Sequence, residues 1–142
     1  MYKKILVPID VLEDELTKKV IPHVECLVRL SNAEVIFFHA LPVSSAIINA
    51  YSFGFDEFKD HATVQTEQYL HQLMDSINLP HEHLSFSIAF GHPRDEILAL
   101  ADEIKPDLII LGSRRPNIST HLLGSNASGV VRGAKTAVLV IR

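Results

Sequence analysis

The sequence carries a single cysteine, Cys26, in 142 residues. A lone thiol closes no internal disulfide, which fits a reducing compartment. Cys26 stands in a helix-like stretch and reads as a small buried hydrophobe rather than a nucleophile. Positive charge is also sparse: 13 Lys and Arg stand against 17 Asp and Glu, a formal net charge of −4 that is dispersed along the chain. With no basic run and no basic–aromatic stripe, nucleic acid is a poor candidate partner. No apolar run approaches the ~20 residues of a membrane span. The apolar start Ile5-Leu6-Val7 breaks at Pro8 and Asp10, too short for the h-region of a signal peptide. These absences predict a soluble, cytoplasmic protein with no membrane partner. Familiar signatures are missing too: no Gly-Lys-Ser/Thr of a Walker loop, no Gly-x-Gly-x-x-Gly after the first strand, and no Gly-x-Ser-x-Gly elbow.

What the chain does have is core-forming material. Apolar residues make up 47% of it, and its length suits one domain with one core, so 1–142 is read as a single domain. Ile5–Ile9 is a β-branched run that reads as a buried parallel strand. Leu16, Val20, Val24, Leu27 and Val28 then recur at helical spacing from Glu13 to about Leu30, with Glu15 facing Lys19. Ala33–Leu41 is a second apolar strand, stopped by Pro42. Residues 43–55 lack periodicity and read as a loop, able to add adenine contacts or a dimer surface. Asp56 to about Asn78 is a long helix whose clearest apolar face is Leu70, Leu73, Met74 and Ile77. Leu84–Phe90 alternates like a half-covered edge strand. Pro93 suits the first position of a helix with the stripe Ile97, Leu100, Ala101 and Ile104. Leu108–Leu111 is another buried strand, ending at Gly112. A polar loop follows, then a helix opened by Gly124 or Ser125 with Ala127, Val130, Val131 and Ala134 inward, then the strand Ala137–Ile141.

Strands alternating with helices imply parallel pairing through right-handed crossovers. The expected fold is an open, doubly wound α/β sheet of five parallel strands in the order 3-2-1-4-5, with four helices and flavodoxin-like layering. Ligands of such sheets bind outside the carboxyl ends of the strands, where strand order reverses. Asp10, Ala40 and Leu111-Gly112 lie at such ends, so Asp10 is expected to meet the loop after Gly112. Gly112 lets the backbone leave the strand, Gly124-Ser125-Asn126 opens a helix whose free N–H groups favour an anion, and Ser125 adds a hydroxyl. Arg114 and Arg115 supply charge suited to phosphate. Asp10 can accept both hydroxyls of a ribose, or help hold Mg²⁺ through water. Each feature has a plainer reading, as an N-cap, a solvated pair of arginines or a turn-forming Asp; their convergence on one rim favours a nucleotide.

At these residues the sequence resembles the universal stress protein family, over essentially its whole length. Lys3-Lys4-Ile5-Leu6-Val7-Pro8-Ile9-Asp10 is similar to the family's first strand with its Val-Pro-x-Asp. Gly91-His92-Pro93 is similar to its Gly-x-Pro turn, and Pro106–Ser113, Leu122-Leu123-Gly124-Ser125 and Ala137–Ile141 to its C-terminal section. The nucleotide-binding branch has a Gly-x2-Gly-x9-Gly-Ser/Thr loop. Gly112, Gly124 and Ser125 match it, Arg115 replaces the second glycine, and the loop is one residue shorter. Arg114-Arg115-Pro116 with Leu-Leu-Gly-Ser-Asn resembles a short-loop subgroup. The resemblance implies that Pro8, Ile9 and Asp10 line an adenosine pocket, that Ala40 faces adenine through its backbone, and that Gly112, Gly124, Ser125 and Asn126 hold phosphates. It also implies a homodimer through strand 137–141, paired antiparallel with its copy.

The expected function is a stress-associated regulatory protein that binds ATP, ADP or AMP, with Mg²⁺ as a possible companion, and does little chemistry. Leu111 and Ser113 join the residues expected at the site. The alternatives are a non-nucleotide protein-interaction module of the same fold and a weak Mg-dependent ATPase. Among the eight histidines, His81 and His83 flank Glu82 but make a weak zinc site. His39 reads as a hydrogen-bonded core residue, His23, His61 and His71 as surface residues, and His92 and His121 as neighbours of the rim.

Overall fold

The computed structural model describes residues 1–43, 54–114 and 123–142. Its strands are β1 (Lys4–Pro8), β2 (Glu34–Leu41), β3 (Leu84–Phe90), β4 (Leu108–Gly112) and β5 (Ala137–Ile141). Its helices are α1 (Asp14–Ser31), α2 (Phe55–Ser76), α3 (Pro93–Ile104) and α4 (Ser125–Gly133), with one 3-10 turn at His81–His83. The sheet order is β3-β2-β1-β4-β5 and every pairing is parallel. The doubly wound α/β reading therefore holds, including β3 as an edge strand.

Side chains alternate across the sheet, so each strand feeds two cores. Val7, Phe37 and Ile110 pack with Val20 and Val24 of α1 and Leu70 of α2. Leu6, Phe38 and Ile109 pack with Ile97 of α3 and Val130 of α4. The central strands β1 and β4 are buried on both faces, as continuous apolar runs require. The alternation of β3 leaves Leu84 buried and Ser85 exposed.

Three local expectations are corrected. Cys26 is exposed, because α1 turns Val20, Val24 and Val28 inward and a residue two positions from Val24 lies on another face. In the first turns of this helix the salt bridges run from Lys18 to Asp14 and Glu15, each at 3.2 Å, and Glu15 is not paired with Lys19 among the described residues. Helix α2 stops at Ser76; Ile77 is buried from an extended backbone beyond it. Of the loop expected over 43–55, residues 44–53 lie outside the described residues, and Phe55 already begins α2.

Asp107 fastens the entry of the sheet. Its Oδ2 accepts the backbone N–H groups of Lys3 at 2.8 Å and Lys4 at 2.9 Å. The Lys3 bond first, then the Lys4 bond, holds this carboxyl below its ordinary value of 3.8. A lowered folded value means stability present above the unfolded pKa and lost as pH falls through the folded one. Urea midpoints of Asp107→Asn and wild type, measured from pH 7 down to pH 2, are expected to differ at neutral pH and to converge below the ordinary carboxylate range. In the core, Ile109 is 0% exposed, and Ile109→Ala is expected to cost about 2–5 kcal/mol in urea unfolding through lost burial and a residual cavity.

Candidate functional site

A cleft of about 1550 Å³ opens at the carboxyl ends of β1, β2 and β4, where the crossovers from β1 and from β4 run to opposite faces of the sheet and a crevice must form. It is lined by Pro8, Ile9, Asp10, Ala40, Leu111, Gly112, Ser113, Arg114, Gly124, Ser125 and Asn126. Every site residue expected from the sequence is therefore gathered there, apart from Arg115, which with His121 lies outside the described residues.

Asp10 shapes the first lip. Its Oδ1 accepts the Leu12 N–H at 2.9 Å and its carbonyl accepts the Glu13 N–H at 3.0 Å, which starts α1. The turn-forming role is thus real, and the exposed carboxylate keeps its second oxygen without a hydrogen-bond partner among the described residues. Beneath it His39 is 5% exposed, and its Nδ1 lies 2.8 Å from the Ile9 carbonyl. A carbonyl only accepts, so Nδ1 carries the proton. The Ile9 N–H in turn donates to the Phe38 carbonyl at 2.7 Å. These two bonds lock the ends of β1 and β2 together, which places Asp10 beside Ala40.

The second lip is tied from within. Ser113 is 5% exposed; its N–H donates to the Ile141 carbonyl at 2.8 Å, and its Oγ accepts the Gly124 N–H at 3.0 Å. Ser113 therefore joins the two ends of the 112–124 loop, and the Gly124 amide is spent on that joint. The first-turn amides of α4 at Ser125 and Asn126 come next, and no side chain among the described residues caps this helix. Both glycines are required by close approach: a Cβ on Gly112 would overlap the Leu16 side chain, and one on Gly124 would stand 2.9 Å from the Arg114 carbonyl. Arg114 forms an ion pair with Glu13, bridging the two lips.

Residues that the sequence reading did not place line the remaining walls. On the α2 side, the Tyr69 hydroxyl donates to Asp14 Oδ1 at 3.0 Å. Lys18 first and Tyr69 second hold the Asp14 carboxyl below its ordinary value, while burial pushes the Tyr69 phenol up. Gln65 and Thr66 line the same wall, and Arg94 and Arg132 line the α3–α4 wall beside His92, the histidine that the sequence set near the rim. The sequence signal for this last wall is a glycine inside a short helix, Gly129, against which the Arg94 side chain lies.

The family model described as the universal stress protein family matches residues 1–142. The chain belongs to the universal stress protein family. It is 39% identical to Universal stress protein G of Shigella flexneri, covering 100% of both chains. The MJ0577 structure, of a Methanocaldococcus jannaschii universal stress protein, superposes with a TM-score of 0.73 at 29% identity, covering 99% of this chain and 96% of that one. A universal stress protein solved in complex with cAMP gives a TM-score of 0.67 at 24% identity, over 99% of this chain and 97% of that one, and so shares the fold.

The joint within this stress-protein loop is directly testable. Ser113→Ala removes the acceptor of a part-buried N–H and is expected to lower unfolding stability by about 1 kcal/mol, read as a shifted urea midpoint. Gly124→Val, which collides with backbone, is expected to cost more than Ser113→Ala in the same measurement.

Proposed function

We propose that this protein is a cytoplasmic, stress-associated regulator that binds an adenine nucleotide and does little chemistry on it. The observation that carries the reading is the opening of Asp10, Ala40 and the uncapped start of α4 on a single cleft. Adenine would lie along the Ala40 backbone among Pro8, Ile9 and Leu111. The ribose would face the free oxygen of Asp10. The first phosphate would sit at Ser125 and Asn126, where unpaired N–H groups and the positive helix end favour an anion. Mg²⁺ would enter with the phosphates, held by Asp10 through water rather than by a cage of protein ligands. A fold relative solved with cAMP supports an adenine nucleotide as the ligand class.

The outer edge of β5 supports a homodimer. Among the described residues Ala137–Ile141 pairs only with β4, and an apolar strand with an open edge needs a cover. Its antiparallel pairing with a second copy would supply one. Sedimentation equilibrium is expected to return a dimer mass that falls towards the monomer on dilution.

One observation favours a second reading, a protein-interaction module without nucleotide: Arg114 already has a carboxylate partner in Glu13. Melting the protein with and without millimolar ATP–Mg²⁺ separates the two. The nucleotide reading expects a raised midpoint, since a ligand bound only by the folded state stabilises by about 2.7 kcal/mol at a hundredfold excess over Kd. It also expects that gain to shrink in Asp10→Ala. An unchanged wild-type midpoint would sink it and favour the interaction module.

A further inference from the structure

The nucleotide reading draws chiefly on one side of the sheet. Ala40 and Leu111 belong to the core beneath α3 and α4, and the phosphate would sit at the start of α4. The cleft also reaches the other side, between α1 and α2. Alternation along β2 puts His39 on the face of Phe37, the α1–α2 face. Thr17 and Thr66 stand three and four residues before the buried Val20 and Leu70, on the inner faces of α1 and α2. Thr17, His39 and Thr66 all line the cleft.

The buried polar side chains among the described residues are Thr17, His39, Thr66 and Ser113. Ser113 is spent on its loop joint, and the other three gather on the α1–α2 side. Thr17 is satisfied there, since its Oγ1 donates to the Glu13 carbonyl at 3.3 Å. Thr66 is 3% exposed and makes no hydrogen bond among the described residues. His39 is bonded through Nδ1 alone, so its Nε2 has no partner among them either. No fully enclosed side-chain nitrogen or oxygen among these residues lacks a partner; both open atoms therefore meet the cleft and not the core. Open polar atoms on side chains this buried are costly unless a ligand or water meets them.

Their chemistry selects the occupant. With the proton on Nδ1, a neutral imidazole offers Nε2 only as an acceptor. The Thr17 oxygen keeps a lone pair, as does the Tyr69 hydroxyl, whose proton goes to Asp14. Thr66 can donate or accept. The wall is rich in acceptors and asks its occupant for a donor. Leu16 and Val20 supply apolar surface and Tyr69 an aromatic one. The arginines Arg94 and Arg132 line the opposite wall, and the carboxylates of Asp10 and Asp14 work against an anion here.

We infer that the part of the cleft between α1 and α2 is a second binding site, separate from the nucleotide's, for a small uncharged molecule that carries an O–H or N–H donor on an apolar ring, with His39 Nε2 and Thr66 Oγ1 as its polar contacts. It does not rest on the nucleotide reading.

Phenol is the simplest such molecule, and amide chemical-shift titration with phenol, toluene and benzoate tests the site. Phenol is expected to give saturable shifts around Thr17 and Thr66 and none at the start of α4, and benzoate to give none at either place. Thr66→Val should lower the ratio of phenol to toluene affinity about tenfold, the loss of one hydrogen bond. The same variant should leave the urea midpoint unchanged or raised, because the deleted hydroxyl makes no bond in the free protein; a purely structural threonine would lower it. Absence of phenol shifts, or shifts confined to the α4 side, overturns the site. An unchanged phenol-to-toluene ratio in Thr66→Val overturns the role of Thr66. Saturating ATP is expected to leave phenol affinity within about twofold, and competition between them overturns the separateness of the two sites. Phenol binding without any ATP binding overturns the nucleotide reading alone.

Discussion

β1 is hydrogen-bonded to β2 along one edge and to β4 along the other, and the cleft exists because of that double pairing. The chain leaves β1 through α1 to reach β2, and the chain from β4 leaves through α4 on the opposite face. The two crossovers part company directly above β1 and β4, and no helix among the described residues fills the gap between them. The burial of β1 and β4 on both faces fixes this geometry: a register slip would carry Leu6 and Val7 each to the wrong core.

The rim of the gap is held by short polar ties that a packed core cannot provide. His39 fastens β2 to β1, Ser113 fastens the base of the 112–124 loop to both β5 and Gly124, and Tyr69 fastens α2 to the start of α1. Each tie consumes a donor or acceptor that would otherwise be open to a ligand. Gly124 shows this most clearly. Its amide serves the loop and is not open to a ligand. The two walls then differ in chemistry: neutral hydrogen-bonding groups on the α2 side and arginines on the α3–α4 side.

Much of this was legible in the chain because each element carries its own punctuation. Pro93 and the left-handed Lys105 bound α3, Asn32 closes α1 in the same conformation, and the apolar runs of β1, β2 and β4 are too short and too β-branched for helices. Other features were illegible for equally physical reasons. The exposure of Cys26 depends on which way α1 rotates against the sheet. The pairing of Lys18 with Asp14 and Glu15, instead of Lys19 with Glu15, depends on the same rotation.

The sequence by itself determined the order of strands and helices, the apolar faces that drive them together, and the presence of Asp10, Gly112 and Gly124-Ser125-Asn126 at chain positions that a doubly wound sheet must bring to one rim. Periodicity and strand-end chemistry are local, and local patterns survive without a partner. Tertiary structure alone decided which donors remain free at that rim, that Arg114 meets Glu13, and that Arg94 from a distant helix lies on Gly129. Those are contacts between segments far apart in the chain, set by helix rotation and by the space a missing Cβ leaves, and no spacing along one segment encodes them.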